Sequence, residues 1–303
     1  MSVTFEKFDL TKYCNNPIVT DGKIAALYGI SGDNVYLLPR GERAKSFKQV
    51  ERLCSCLLAR NVMKDDTVVA IGGGSIGDTV GFAASIYKRG VKLLHVPTTL
   101  IAQIDSSIGG KTAIDLDGVK NAVGSYYFAD TLIDVDFLQT LDKKQLKSGY
   151  GELLKYRMLS SAIDQAYGKG DLLQTIRACV EYKQQICQLD PYCENARNKL
   201  NFGHTIGHAM ELTYKLPHGI AVANGIYYET LLAANMGICS RDYADKWTSE
   251  VKSQFTIYPL TTVILSLTQQ DKKNKSGLVS FTFPETFLET SLTIEKLEEL
   301  QHA

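Results

Sequence analysis

The stretch Thr67-Val-Val-Ala-Ile71, followed at once by Gly72-Gly-Gly-Ser-Ile-Gly77, constrains this chain more than any other. An unbroken apolar run rich in β-branched residues reads as a strand buried on both faces, the kind found in parallel sheets. The glycines behind it match G-x-G-x-x-G at Gly72, Gly74 and Gly77 and open a helical run from Asp78. Glycine lets a backbone come close to a pyrophosphate, and a helix N-terminus offers free N–H donors and a positive dipole end. The same residues suit an ordinary tight strand-to-helix turn, so the motif alone leaves both readings open. The acidic residue that a standard dinucleotide fold places after the next strand is absent: Val91-Lys-Leu-Leu-His-Val96 runs into Pro97-Thr-Thr99 instead. Thr98 and Thr99 offer hydroxyls there, either to a nucleotide or as helix caps.

The surrounding pattern fits a sheet covered on both faces. Val35-Tyr-Leu-Leu38 reads as a strand ending in a turn at Pro39-Arg-Gly41. Ser46 to Arg60 has helical spacing, with Phe47, Val50, Leu53, Leu57 and Leu58 on one face, and Leu132-Ile-Asp-Val135 reads as a further strand. After about residue 143 the rhythm changes to successive helical runs: 145–158, 172–189, 201–214, 221–236 and 243–252. The expectation is an α/β, Rossmann-like parallel-sheet domain over 1–143, followed by an all-α domain over 144–303.

Lys+Arg and Asp+Glu are both 33, so the formal net charge is zero. That balance argues against a general nucleic-acid binder, whose affinity comes from clustered positive charge. No apolar run is long enough to span a bilayer. The N-terminus lacks the basic-then-apolar layout of a signal peptide. The seven cysteines are scattered without metal-knuckle spacing, as expected for free thiols in a reducing cytoplasm.

Polar groups with chemistry concentrate in a few places. Gln103-Ile-Asp-Ser-Ser-Ile-Gly-Gly-Lys-Thr112 pairs two glycines with Lys111, suggesting a close backbone approach with an ammonium aimed at an anion. It is not a P-loop, because Asp105 stands where that motif needs its first glycine. Lys120-Asn121 follows. His204 and His208 are i and i+4 on one helical face, and His218 sits just beyond in Pro217-His-Gly219. Histidines and a carboxylate in such a cluster suit a catalytic metal with an open position; hydrogen bonding in a helical core is the alternative. The carboxylate is Glu152 in Gly151-Glu-Leu-Leu-Lys155, where Glu152 and Lys155 equally suit an i, i+3 surface pair. Lys183, Arg197, Lys199 and Lys272-Lys273 read singly as solvated charges.

Taken together, these stretches resemble the 3-dehydroquinate synthase family of sugar-phosphate cyclases. The matching pieces run in order from about residue 19 to residue 300. The most specific are Asp105-Ser-Ser-Ile-Gly-Gly-Lys-Thr112 and Leu200-Asn-Phe-Gly-His-Thr-Ile-Gly-His208. The resemblance implies that Glu152, His204 and His218 ligate a divalent metal, zinc or cobalt, and that His208 is instead a polar contact in a proton relay. It places Asp105, Lys111, Asn121, Lys155, Lys183, Arg197, Asn201 and Lys272, of the Lys272-Lys273 pair, around the substrate. Arg89 would reach a phosphate from a neighbouring subunit, which implies a homodimer. Asp21, Glu42, Lys45, Gly73, Gly74, Ser75, Asp78, Thr98, Thr99, Lys120 and Thr140 would hold NAD.

The chemistry so implied acts on a small sugar-acid phosphate. It runs through transient oxidation by NAD, phosphate elimination, re-reduction and intramolecular aldol closure, with no net redox. Three features depart from the family's pattern. The segment between Val19-Thr-Asp21 and Gly41-Glu42 reads as too short for the helix and strand usual there. Ile220 stands after His218-Gly219 where an acid is usual, and Asp115 stands where Asn is common. Rival readings are a cyclase for a substrate without the carboxylate, a metal-dependent polyol dehydrogenase and a silent NAD-binding homologue.

Overall fold

The run at residues 67–72 forms the strand its composition predicts, and its neighbours show why it is apolar throughout. In the computed structural model, which describes residues 2–269, 278–285 and 289–301, the chain divides into two compact units, Met1–Asp142 and Lys143–Ala303. Asp271, Lys272 and Lys273 lie outside the described residues.

The strands of the first unit are β1 (Val3–Phe5), β2 (Ile18–Asp21), β3 (Val35–Leu38), β4 (Thr67–Gly72), β5 (Lys92–Pro97), β6 (Lys111–Leu116), β7 (Val119–Tyr126) and β8 (Asp130–Ile133). Six of them form one sheet in the order β1-β8-β5-β4-β2-β3, and every pairing in it is parallel. Residues of β4 alternate between two cores. Val68 and Ala70 pack with Leu53, Leu57 and Val80, from helices α2 (Phe47–Ala59) and α3 (Gly74–Ile86). Val69 and Ile71 pack on the other face with Val96, Leu132 and Phe137. Each such buried Val or Ile contributes roughly 1.5–3 kcal/mol, which is why neither face of the strand can be polar.

The segment between Asp21 and Gly41 does contain a helix and a strand, correcting the expectation that it is too short. Helix α1 (Gly22–Tyr28) starts directly on the end of β2: the Asp21 carboxylate accepts the N–H groups of Lys23 and Ile24 at 2.8 and 3.1 Å. Gly29, left-handed at φ +62°, then ends it. Capping at both ends makes a short helix sufficient, so β3 still fits before Gly41.

Strands β6 and β7 form a separate antiparallel hairpin. Asp117 and Gly118 turn it with φ +49° and +80°, the paired positive angles for which Asp-Gly is favoured. The hairpin lies on α3 at Gly81, where a Cβ would come within 2.4 Å of Thr112.

The second unit contains α4 (Lys143–Leu159), α5 (Ser161–Gly168), α6 (Leu172–Leu189), α7 (His204–Tyr214), α8 (His218–Asn235), α9 (Arg241–Gln254), α10 (Thr262–Thr268) and α11 (Ile294–Gln301). A two-stranded antiparallel hairpin, β9 (Val279–Thr282) with β10 (Glu289–Leu292), adds to the helices that the sequence leads one to expect. Its Phe281 stacks on Phe283 at 5.4 Å within the core of this unit. Among the described residues no helix is long and apolar enough to cross a membrane.

Helices α4, α7 and α8 meet at glycines. A Cβ on Gly151 would lie 1.8 Å from the Gly219 carbonyl oxygen, and one on Gly225 would lie 1.9 Å from that of Gly203. These contacts are backbone against backbone, so no side-chain rotation can relieve them. Gly151→Ala is therefore expected to destabilise the protein by about 3 kcal/mol or more, the upper end of overpacking costs. Gly168→Ala, with nothing within 4 Å of its Cβ, should leave stability unchanged or slightly raised. Urea unfolding of both variants checks the contrast.

Candidate active site

In the second unit the residues expected to bind a metal do converge. Glu152 lies on α4, where nearly every side chain of the C-terminal half is buried. His204 is the first residue of α7 and His218 the first of α8. The His204 and His218 Nε2 atoms lie 3.2 and 3.0 Å from Glu152 Oε1. The three ligand atoms are all within 4.8 Å of one another. Lys155 Nζ lies 2.7 Å from Glu152 Oε2, and both side chains are 1% exposed. The Glu152–Lys155 pair is thus internal, and the surface-pair alternative does not apply.

Each of the two histidines also has a polar partner behind its ring. His204 Nδ1 lies 3.1 Å from the Phe202 carbonyl oxygen, and His218 Nδ1 lies 2.9 Å from Glu211 Oε2. With an ion bound, each Nδ1 would donate outward and leave both Nε2 lone pairs for it; without one, the Nε2 positions can donate to the Glu152 carboxylate. One carboxylate oxygen and two imidazole nitrogens with fixed outer partners are a donor set that fits zinc or a similar divalent ion. His208 lies one turn along α7, with ring centroids 5.3 Å from His204 and 6.0 Å from His218; it is outside the converging group.

The electrostatics follow from burial and neighbours. Burial opposes charge on Glu152, but the Lys155 ammonium and the two histidines outweigh it and hold its carboxyl well below the usual range. Burial and Lys155 hold His204 down at about 4 against the pull of Glu152. Burial also disfavours charge on His218, yet Glu152 and Glu211, on opposite sides of its ring, bring it up to about 10.

Two carboxylates important to this region gave no signal in a motif search. Glu229, fully buried on α8, accepts the N–H groups of Gly203 and Ile206 at 2.7 and 3.0 Å. It caps α7 from outside, where Gly203 at the N-cap has no side chain to do so. A lone Glu within the otherwise apolar face of α8 is the only sequence trace it leaves. Asp190 accepts N–H groups from Glu194, Asn195 and Arg197 at 2.8–2.9 Å, shaping the loop before Arg197. Burial raises its pKa, but these donors and Arg197 bring it to about 2. Lys183 and Arg197 are buried, and Asn201 ends the 3-10 segment Ala196–Asn201 that begins beside Arg197.

In the first unit, Gly73 is the N-cap of α3 and provides no side-chain cap. The leading N–H groups of that helix thus suit an anion such as a pyrophosphate. A Cβ on Gly73 would come within 3.0 Å of Thr99, and one on Gly74 within 3.0 Å of Ser106, so the turn presses against the segment that follows β5. Thr98 is buried, and Thr99 Oγ1 accepts the Ala102 N–H at 3.2 Å; capping is a role Thr99 does play. Asp105 lies on a single π-helical turn, Ala102–Ser106, a local irregularity that recurs at functional sites.

Other expected NAD residues gather at the start of α3. Ser75 Oγ donates to Glu42 at 3.0 Å, and Lys45 Nζ lies 2.6 Å from Asp78. Lys45 is held by a closed ring of contacts. Its carbonyl accepts the Asp115 N–H at 3.0 Å, the Asp115 carboxylate accepts the Asn121 N–H at 2.8 Å, and Lys45 Nζ donates to Asn121 Oδ1. Asp115 and Asn121 therefore act together on Lys45. Asp21 caps α1, and Thr140 Oγ1 lies 2.6 Å from the Tyr28 hydroxyl. Lys111 and Lys120 are exposed on β6 and β7. Arg89 is also exposed, beyond the C-terminal end of α3, a helix length of about 20 Å from the glycine turn.

His95, 7% exposed on β5, closes the floor of that turn: a Cβ on Gly77 would come within 3.2 Å of its ring. Burial lowers its pKa from 6.5 to about 4. The unfolded chain therefore takes the proton first, so stability present above pH 6.5 is lost as pH falls toward 4. The loss should reach about 3 kcal/mol. Denaturant midpoints between pH 7 and 4 should fall more steeply for the wild type than for His95→Gln.

Comparison with known proteins gives a consistent picture. The family model for the 3-dehydroquinate synthase N-terminal region matches residues 35–148, and that for the C-terminal region matches residues 136–274. The 3-dehydroquinate synthase of Alkaliphilus metalliredigens (strain QYMF) is 38% identical over 299 residues, covering 88% of this chain and 83% of the relative. That of Lactiplantibacillus plantarum is 39% identical over 276 residues, covering 84% and 75%. Among solved structures, the 2-epi-5-epi-valiolone synthase ValA of Streptomyces hygroscopicus subsp. jinggangensis 5008, with NAD+ and Zn2+ bound, superposes with a TM-score of 0.83. It covers 99% of this chain and 95% of its own at 24% identity, a likeness of fold.

Proposed function

Because the chain belongs to the 3-dehydroquinate synthase family, we propose that it converts 3-deoxy-D-arabino-heptulosonate 7-phosphate to 3-dehydroquinate and phosphate, as a phosphate-eliminating lyase of the shikimate pathway. The observation that carries this reading is the buried meeting of Glu152, His204 and His218, with Lys155 paired to the same carboxylate. A divalent ion held by those three would supply a Lewis acid to a substrate oxygen, and NAD held at the glycine turn would take up a hydride and return it.

The chain's own groups do the rest. Lys155, Lys183 and Arg197 are buried cations, suited to a substrate that carries both a carboxylate and a phosphate. Asn201 adds an amide that can orient a hydroxyl or carboxylate. His208 stands beside the ligand histidines without joining them, so we assign it the proton transfers. Asp105, Lys111 and Asn121 complete the substrate set, with Lys272 as an added cation. Arg89, far along α3 from the glycine turn, acts on the phosphate of a neighbouring subunit in a homodimer. Asp21, Glu42, Lys45, Gly73, Gly74, Ser75, Asp78, Thr98, Thr99, Lys120 and Thr140 hold NAD. All seven cysteines are free, which supports a cytoplasmic setting.

Phosphate release from the heptulosonate substrate, with NAD and zinc present and absorbance at 340 nm followed, tests the activity. Release without accumulating NADH, abolished by a chelator, is the expected result. Steady NADH formation on a polyol would replace the cyclase reading with a dehydrogenase. The division of histidine roles has its own check. His204→Ala should lose metal and activity together, whereas His208→Ala should keep its metal while activity falls about 10²- to 10⁴-fold. Equal metal loss in both variants would refute that division.

A further inference from the structure

The ring of His218 is gripped on both sides. Its Nε2 faces Glu152 at 3.0 Å and its Nδ1 faces Glu211 at 2.9 Å. His204 is held the same way, but its outer partner is the neutral carbonyl of Phe202. The two imidazoles therefore differ in what stands behind them.

The sequence offers no acid beside His218, since Ile220 occupies the position after Gly219. The structure shows where Ile220 goes: it packs with Leu154, Phe202, Val222 and Trp247 in an apolar cluster. The acid arrives instead from α7. Residues 204, 208 and 211 follow the i, i+4, i+7 spacing of one helical stripe. That stripe carries His204, His208 and Glu211 toward the first residue of α8. Glu211 is 13% exposed at its side chain, largely shielded from water.

We propose that Glu211 is a positioning residue of the metal centre, accepting the Nδ1 proton of His218 so that Nε2 keeps its lone pair for the ion. The inference rests on the metal reading above and goes beyond it by assigning a further acidic side chain to the site. A ligand histidine backed by a carboxylate is oriented in one tautomer and donates more strongly than one backed by a carbonyl. His218 is then the more firmly set of the two imidazoles, and Glu211, not residue 220, makes it so. Glu211 does not touch substrate; it acts through His218.

The test is zinc affinity, measured by competition with a chromophoric chelator, in the full chain and in Glu211→Ala and Glu211→Gln. The expected result is a zinc dissociation constant raised about 10- to 100-fold in Glu211→Ala. Glu211→Gln, nearly isosteric and still an acceptor but uncharged, should fall between it and the wild type. Nitrogen-15 shifts of the imidazoles give a readout that a merely structural role would not move. In zinc-bound Glu211→Ala the His218 Nδ1 resonance should move, because its hydrogen bond is lost, while that of His204 stays in place. Wild-type zinc affinity and an unchanged His218 Nδ1 resonance in both variants would overturn the proposal. Failure of the unmodified chain to bind zinc would instead remove the metal reading, and the role of Glu211 with it.

Discussion

Much of the second unit is organised around one awkward object, an ionised carboxylate buried in a helical core. An unpaired carboxylate at the position of Glu152 would cost several kcal/mol. It is tolerated because Lys155 approaches one oxygen and two histidines approach the other. Those partners come from three helices, so the charge can be satisfied only if α4, α7 and α8 pack closely enough. The glycines at 151, 219 and 225 allow that approach, with carbonyls standing where a Cβ would be, and Gly203 leaves room for the side chain of Ile226. The packing and the polar centre thus depend on each other.

A similar dependence, built from weaker parts, governs Lys45 in the first unit. Its ammonium is 5% exposed beside Asp78, and its backbone and side chain are both tied to the β6–β7 hairpin. Asp115, where the resemblance leads one to expect Asn, is part of that tie. Its carboxylate accepts the N–H of Asn121, which sits in the left-handed region at φ +52°. An Asn side chain at 115 could accept the same hydrogen bond, so the substitution preserves the geometry and changes the charge.

Features set by local rules were readable in the sequence. The strand at 67–72, the strand at 35–38 and the helix at 172–189 follow from periodicity and composition, because burial on one or two faces dictates both. The Asp117-Gly118 turn, left-handed at both residues, is a local signal of the same kind. The helix α1 was missed because its stability comes from two caps and not from an apolar face. The β9–β10 hairpin lay in a region dominated by helical periodicity. For the site, residue types and spacing pointed to Glu152 with His204, His208 and His218, the resemblance singled out His204 and His218, and neither could separate buried partners from a solvated i, i+3 pair. That distinction depends on what α7 and α8 place against α4, which no local window contains.

The acids that escaped the sequence reading share a physical cause. Glu211, Glu229 and Asp190 act on groups distant along the chain or on bare backbone N–H donors, and neither kind of partner marks a sequence. Position 220 shows the converse. An acid looks missing there when residues are matched along a line, yet the Nδ1 of His218 is served from α7, seven residues before it. What a histidine ligand needs is a hydrogen-bond acceptor at the far side of its ring, and any element that can reach that point will do. A departure from a family's pattern at one position is therefore weak evidence of lost chemistry until the neighbouring helices have been searched for the missing group.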